Sequence, residues 1–137
     1  MRTRGPRLWW IGLQALLASV IANLAVRWVA LAAFDIAPEF PPLQGPGPVV
    51  FFTVVGVIAA VAVYATLGWL GRASLFQVIA IIALVLSLAP DVWMLTEAAR
   101  PAFPGATVAS VGTLMLMHVV AAVIVVRLFT GKGEAAL

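Results

Sequence analysis

The chain has 137 residues, 64% of them hydrophobic and only 9% charged, with a formal net charge of +3 and a mean hydropathy of +1.15. That mixture excludes an ordinary soluble domain, and the few basic residues are neither clustered on a soluble face nor interleaved with stacking aromatics, which excludes a nucleic-acid reader. The chain has no cysteine, so it contains no disulfide, thiol nucleophile or thiolate metal site.

Four apolar runs, at residues 8–34, 49–70, 74–95 and 107–129, are each predicted to form a membrane-spanning helix. A hydrocarbon core of about 30 Å needs around 20 helical residues, and each run is long enough. Residues 1–137 therefore read as a single membrane domain, an all-α, up-down-up-down bundle of four transmembrane helices with no room for a soluble domain.

The first run follows Arg2, Arg4 and Arg7, and Ala30-Leu31-Ala32 resembles a signal-peptide cleavage site. The run is too long for a secretory signal and Arg27 interrupts the approach to that site, so the segment is expected to remain as a helix. Arg2, Arg4, Arg7, Arg72, Arg127 and Lys132 fall on one side of the membrane, with Arg27 and Arg100 toward the other. The positive-inside bias then places both termini in the cytoplasm and the 35–48 loop outside. Tryptophan gives an independent reading: Trp9, Trp10 and Trp69 map to the inner boundary and Trp28 and Trp93 to the outer one, where indole prefers to sit.

Small residues mark where helices approach closely, since lipid gives one apolar helix no hydrophobic reason to prefer another. Gly12, Ala15, Ser19 and Ala22 make such a stripe on the first helix, Gly56 and Ala60 on the second, and Ala121 and Ala122 flank His118 on the fourth. They are expected to be packing seams within the chain. The two halves also share landmarks at an offset of about 64 residues, a spacing that either an internal parallel repeat or the common grammar of membrane hairpins explains. Arg7 and Arg72 precede the odd helices, and Phe40-Pro41 and Phe103-Pro104 follow them.

Polar groups inside the spans are costly and face a bundle interior or cavity. Asn23 and Arg27 share one helical face, as do Ser87 and Asp91, each pair lying in the outer half of its span. With His118, near the bilayer middle, these five residues form a candidate polar pocket opening outward. Arg27 and Asp91, opposite charges at similar depth, are expected to interact directly or through water, or else to serve as interface anchors. His118 is expected to face the interior, neutral at pH 7, with one ring nitrogen bonded to a polar group on another helix and Asp91 as the nearby acid. Pro90 removes a donor from the ladder and kinks the third helix beside Asp91, freeing the Leu86 carbonyl for the pocket. Gln14, Gln77 and Tyr64 lie in the inner half of their spans, where capping or snorkelling to the interface accounts for them.

His118 has no second histidine or neighbouring carboxylate on its own helix, so no metal site is expected. The scattered serines, histidine and acids do not define a hydrolytic triad, and no Gly-rich phosphate motif is present. No cofactor is expected. The embedded first-helix glutamate of small multidrug exporters and the glycine-rich signature of fluoride channels are also missing.

Ala22-Asn23-Leu24, Ser87-Leu88-Ala89-Pro90 and Leu116-Met117-His118-Val119-Val120-Ala121-Ala122 resemble an uncharacterised family of small bacterial four-helix integral membrane proteins, with the likeness extending over most of the chain. The resemblance implies architecture and an inner-membrane location. It implies no substrate, cofactor or activity, and Arg27 and Asp91 do not map onto it. The functional expectation is a non-enzymatic accessory subunit or lipid-binding membrane module, with membrane lipids and a protein subunit or second copy as partners. The alternative is a small transporter or ligand-binding protein using the outer polar pocket.

Overall fold

The computed structural model describes residues 5–133, and among them every regular element is helical. Helix α1 (Gly5–Ala33) is followed by a short 3-10 turn at Pro41–Leu43 and α2 (Pro46–Trp69). A second such turn, Ala73–Leu75, leads into α3 (Phe76–Trp93), and a third, Glu97–Ala99, lies on the path to α4 (Val108–Leu128). The last helix continues into a π turn, Phe129–Gly133.

Local chemistry sets the ends. Helix α2 starts earlier than the apolar run suggests because Pro46 occupies the first turn, where a missing N–H costs nothing, after the extended Gly45. It stops at Gly71, whose φ of +68° suits glycine. The Arg72 N–H reaches the Leu67 carbonyl at 2.7 Å and the Gly71 N–H reaches Gly68 at 3.2 Å, closing the α2 C-terminus in a Schellman turn. At the start of α4, Thr107 and Ser110 form a reciprocal capping box: the Thr107 hydroxyl accepts from the Ser110 N–H and the Ser110 hydroxyl accepts from the Thr107 N–H.

Helix α1 packs along both α2 and α4, and α4 carries α3, whereas α2 touches α3 and α4 only sparsely. The bundle order is therefore α2–α1–α4–α3, with one open side between helices that are consecutive in sequence. Gly12 lets α1 and α2 approach, since a Cβ there would lie 3.2 Å from Val61. Ala15 and Ser19 on the same stripe are fully buried, as the small-residue pattern predicts. Gly56 departs from that pattern: it is exposed, with nothing near a Cβ position, so it faces away from the chain's own seams.

Two apolar clusters fill the interior. At the end bearing the termini, Ile11, Ala15, Val57 and Val125 surround the rings of Tyr64, Phe76 and Phe129. At the loop end, Phe40 and Leu43 fold back over Ala30, Val49, Val111 and Met117. The 34–45 and 94–107 loops touch there, with Gly105 at a φ of +76° and so close to Ala37 that a Cβ would come within 2.7 Å.

All four spans, Arg7–Ala33, Pro46–Trp69, Ala73–Trp93 and Val108–Gly131, are long and apolar enough to cross a membrane. Between 6% and 28% of each most apolar window is buried, which leaves residues such as Phe52, Ile58 and Leu86 on the outside. Apolar faces of that extent require lipid as solvent. All of Trp9, Trp10, Trp28, Trp69 and Trp93 are exposed toward helix ends, in keeping with an interfacial belt.

Candidate functional site

Between the two apolar clusters lies a layer of buried polar side chains, and the five residues singled out in the sequence divide there into separate local arrangements. Asn23 is 3% exposed, and its amide donates to the Thr53 hydroxyl at 3.0 Å, tying α1 to α2. Its Oδ1 and the hydroxyl of Ser19, one turn earlier on α1, are buried without a hydrogen-bond partner among the described residues. The sequence reading missed Thr53. A threonine in an otherwise apolar stretch, in the half of α2 nearer the first loop like Asn23 in α1, was the available signal.

Asp91, also 3% exposed, meets His118 across the α3–α4 seam, with Oδ2 2.9 Å from Nδ1. The two atoms stand at ion-pair distance without the alignment of a regular hydrogen bond. His118 thus has its polar partner on another helix, as expected, although its side chain keeps 41% exposure while that of Asp91 keeps 4%. The meeting spans an apparent difference of depth. Asp91 is near the end of its span and His118 near the middle of its own, so α3 is offset along α4 to bring them level.

Arg27 does not make the expected ion pair with Asp91. Its Nε donates instead to the Leu43 carbonyl at 3.1 Å, so the guanidinium reaches out of α1 to hold the first loop against the bundle. The reason is topological: α1 and α3 lie on opposite sides of α4 in the packing order, and the nearer unfilled acceptor is a loop carbonyl at the end of a 3-10 turn. Ser87 is likewise turned away from the others, its hydroxyl donating to the Leu84 carbonyl of its own helix at 2.7 Å. Pro90 and Leu86 are both exposed, about 100° and 140° around α3 from the buried Asp91.

Tyr64 corrects a further expectation. Rather than snorkelling, it is 1% exposed, its ring centroid 5.0 Å from Phe76 and 4.9 Å from Phe129 in edge-on contacts. Gln14 and Gln77 are exposed.

The polar residues do not line the chain's apolar groove. It has a volume of about 520 Å³ and lies between α1 and α4, in the half nearer the loops, bordered by Ala25, Val29, Phe34, Ala109, Gly112 and Leu116 among others. Thr113 is its one polar side chain, and that hydroxyl is already committed to the Ala109 carbonyl at 2.8 Å. Among the described residues no three metal-ligating side chains gather.

Apolar outer faces, four spanning helices and a thin polar layer define a small multi-pass helical membrane protein. The chain belongs to the family of unknown function DUF6069, which it matches over residues 3–135. No curated protein and no solved structure matches it.

Proposed function

We propose that the protein is a non-enzymatic lipid-binding module of the cell membrane, holding one acyl chain of a membrane lipid in the groove between α1 and α4. The observation that carries this reading is the groove's chemistry. Its floor is made of small residues, its rims of Val29, Phe34 and Leu116, and its single hydroxyl is spent on the backbone. Such a channel offers van der Waals contact to a chain and nothing to a polar solute. The interior polar groups serve packing: Asn23 joins α1 to α2, and His118 joins α3 to α4.

Gly112 supplies the test, because it borders the groove and a Cβ added there meets nothing within 4 Å, so a larger side chain can grow into the groove. Native mass spectrometry of gently extracted protein should show a retained lipid, and Gly112→Leu should reduce its occupancy about fivefold at unchanged thermal stability. That corresponds to losing roughly 1 kcal/mol of carbon–carbon contacts. Equal lipid retention by the variant would defeat the proposal, whereas a co-purifying protein in place of lipid would favour an accessory subunit.

The orientation belongs to the same reading. With both termini cytoplasmic, single cysteines at Arg4 and Gly133 should label only from inside and one at Gln44 only from outside. The reverse pattern would invert the module and put the groove in the inner leaflet.

A further inference from the structure

The Asn23–Thr53 tie leaves hydrogen-bonding capacity unspent at the α1–α2 seam. Asn23 Oδ1 accepts from no described residue, and the Ser19 hydroxyl is bonded to none. Ser19 is fully buried and Asn23 is 3% exposed, so bulk water does not serve them, and buried polar atoms in that state are costly. A small side chain is all that close packing of the Gly12, Ala15, Ser19 and Ala22 stripe requires, so alanine would serve at position 19 and the hydroxyl needs its own account. Ser19 and Asn23 are four residues apart on one face of α1, with β-carbons about 6 Å apart. Helical side chains lean toward the N-terminus, which carries the Asn23 amide over the turn of Ser19. The two side chains do not bond to each other, so exchanging the amide oxygen and nitrogen would leave Ser19 unserved. One water links oxygens up to about 5.6 Å apart, two hydrogen-bond lengths, and that separation suits side chains one helical turn apart.

We propose that Ser19 and Asn23 bind a single ordered water molecule at the α1–α2 seam, which donates one proton to Asn23 Oδ1 and the other to Ser19 Oγ. A water has two protons, and the site has two buried oxygens without a donor. A monovalent cation would find the same oxygens but no carboxylate to balance it. Asp91 is the one buried acid among the described residues, and it is engaged with His118 across another seam. A larger polar solute would need an opening, and both anchoring residues are closed to the surface. Helix carbonyls do not fill the need, because Asn23 Oδ1 requires a donor and they are acceptors.

Asn23 is the chain's only asparagine, so selective ¹⁵N labelling leaves one carboxamide signal. In lipid nanodiscs its protons should show magnetisation transfer from water with the sign of a long-lived bound molecule. Ser19→Ala keeps the small side chain and should weaken that transfer about threefold or more, the worth of one net hydrogen bond. Thr53→Val removes the neighbouring hydroxyl and should leave the transfer in place, which excludes proton exchange through Thr53 as its source. A wild-type carboxamide that receives nothing from water overturns the proposal whatever the variants do, and would mean that Ser19 turns to a carbonyl of its own helix. An unchanged signal in Ser19→Ala, or its loss in Thr53→Val, overturns the shared site. Gly112→Leu should leave the signal intact, so failure here and failure of the acyl groove are read separately.

Discussion

Helix α3 is held by two side chains of opposite character, one near each end. Phe76 and Asp91 are its only buried residues. Phe76 enters a cluster with Tyr64 and Phe129, joining three helices by shape. Asp91 attaches the other end to α4 through His118, by a polar contact. In lipid a helix gains nothing by hiding apolar surface from its solvent, so attachment comes from close packing or from polar contact. This helix uses each once, and the difference should show in how each attachment fails.

The aromatic attachment should fail most severely. Phe76→Ala removes a ring enclosed on three sides and is expected to cost about 3 kcal/mol, the low end for such truncations, because lipid solvates the unfolded side chain too. Phe76→Leu should recover more than half, since volume rather than chemistry is what the site uses. Reversible unfolding in mixed micelles would measure both, and a negligible cost for the alanine would mean that α3 is not anchored there.

The polar attachment should show non-additivity instead. His118→Leu leaves the Asp91 carboxyl buried without its partner, at about 2 kcal/mol, and Asp91→Leu strands the imidazole at a smaller cost because the ring is partly exposed. The double variant should be more stable than His118→Leu alone, since a leucine pair needs no partner. Strictly additive losses would show that the two residues act separately and that their 2.9 Å approach carries no coupling.

Asn23 and Thr53 form the corresponding tie of the first hairpin, without charge. Asn23→Ala should cost about 1 kcal/mol, within the range of single membrane hydrogen bonds, and Thr53→Val nearly as much. Matching single losses with a double variant no worse than either would identify the 3.0 Å bond as the shared cause.

How much of this was legible in the sequence depends on the range of the interaction concerned. Spans are written locally, in the apolar runs, and these were readable. The polar positions were readable as well, because Asn23, Asp91 and His118 stand out against an apolar background. Pairing was readable only in part: Asp91 was legible as the acid near His118, but the failure of the Arg27–Asp91 pair and the Asn23–Thr53 tie depend on the order of helices around the bundle. Short turns suggest that neighbours in sequence are neighbours in space, yet α3 leans on α4 and leaves α2 after their shared turn. That arrangement carried Asp91 to His118 and out of reach of Arg27. Tyr64 was misread for a related reason: depth follows from counting residues, but whether a ring faces lipid or two phenylalanines follows from the partners' register.

Arg27 gives the smallest expected effect and separates a staple from a ligand-holding cation. Its bond is to a backbone carbonyl at the loop end, where a carbonyl that loses its donor can turn to water, so Arg27→Gln should change global stability by less than about 1 kcal/mol. The change should be local. Leu43 and Phe40 pack beneath that carbonyl, and amide exchange of the 34–45 loop should rise several-fold while the helices keep their protection. Lysine should not restore the loop, because the donor here is Nε, set back along a planar group that the ammonium of lysine does not reproduce. If exchange in the loop is unchanged and bound anion is lost instead, Arg27 is no staple, and the first hairpin has a polar function that the Asn23–Thr53 tie does not supply.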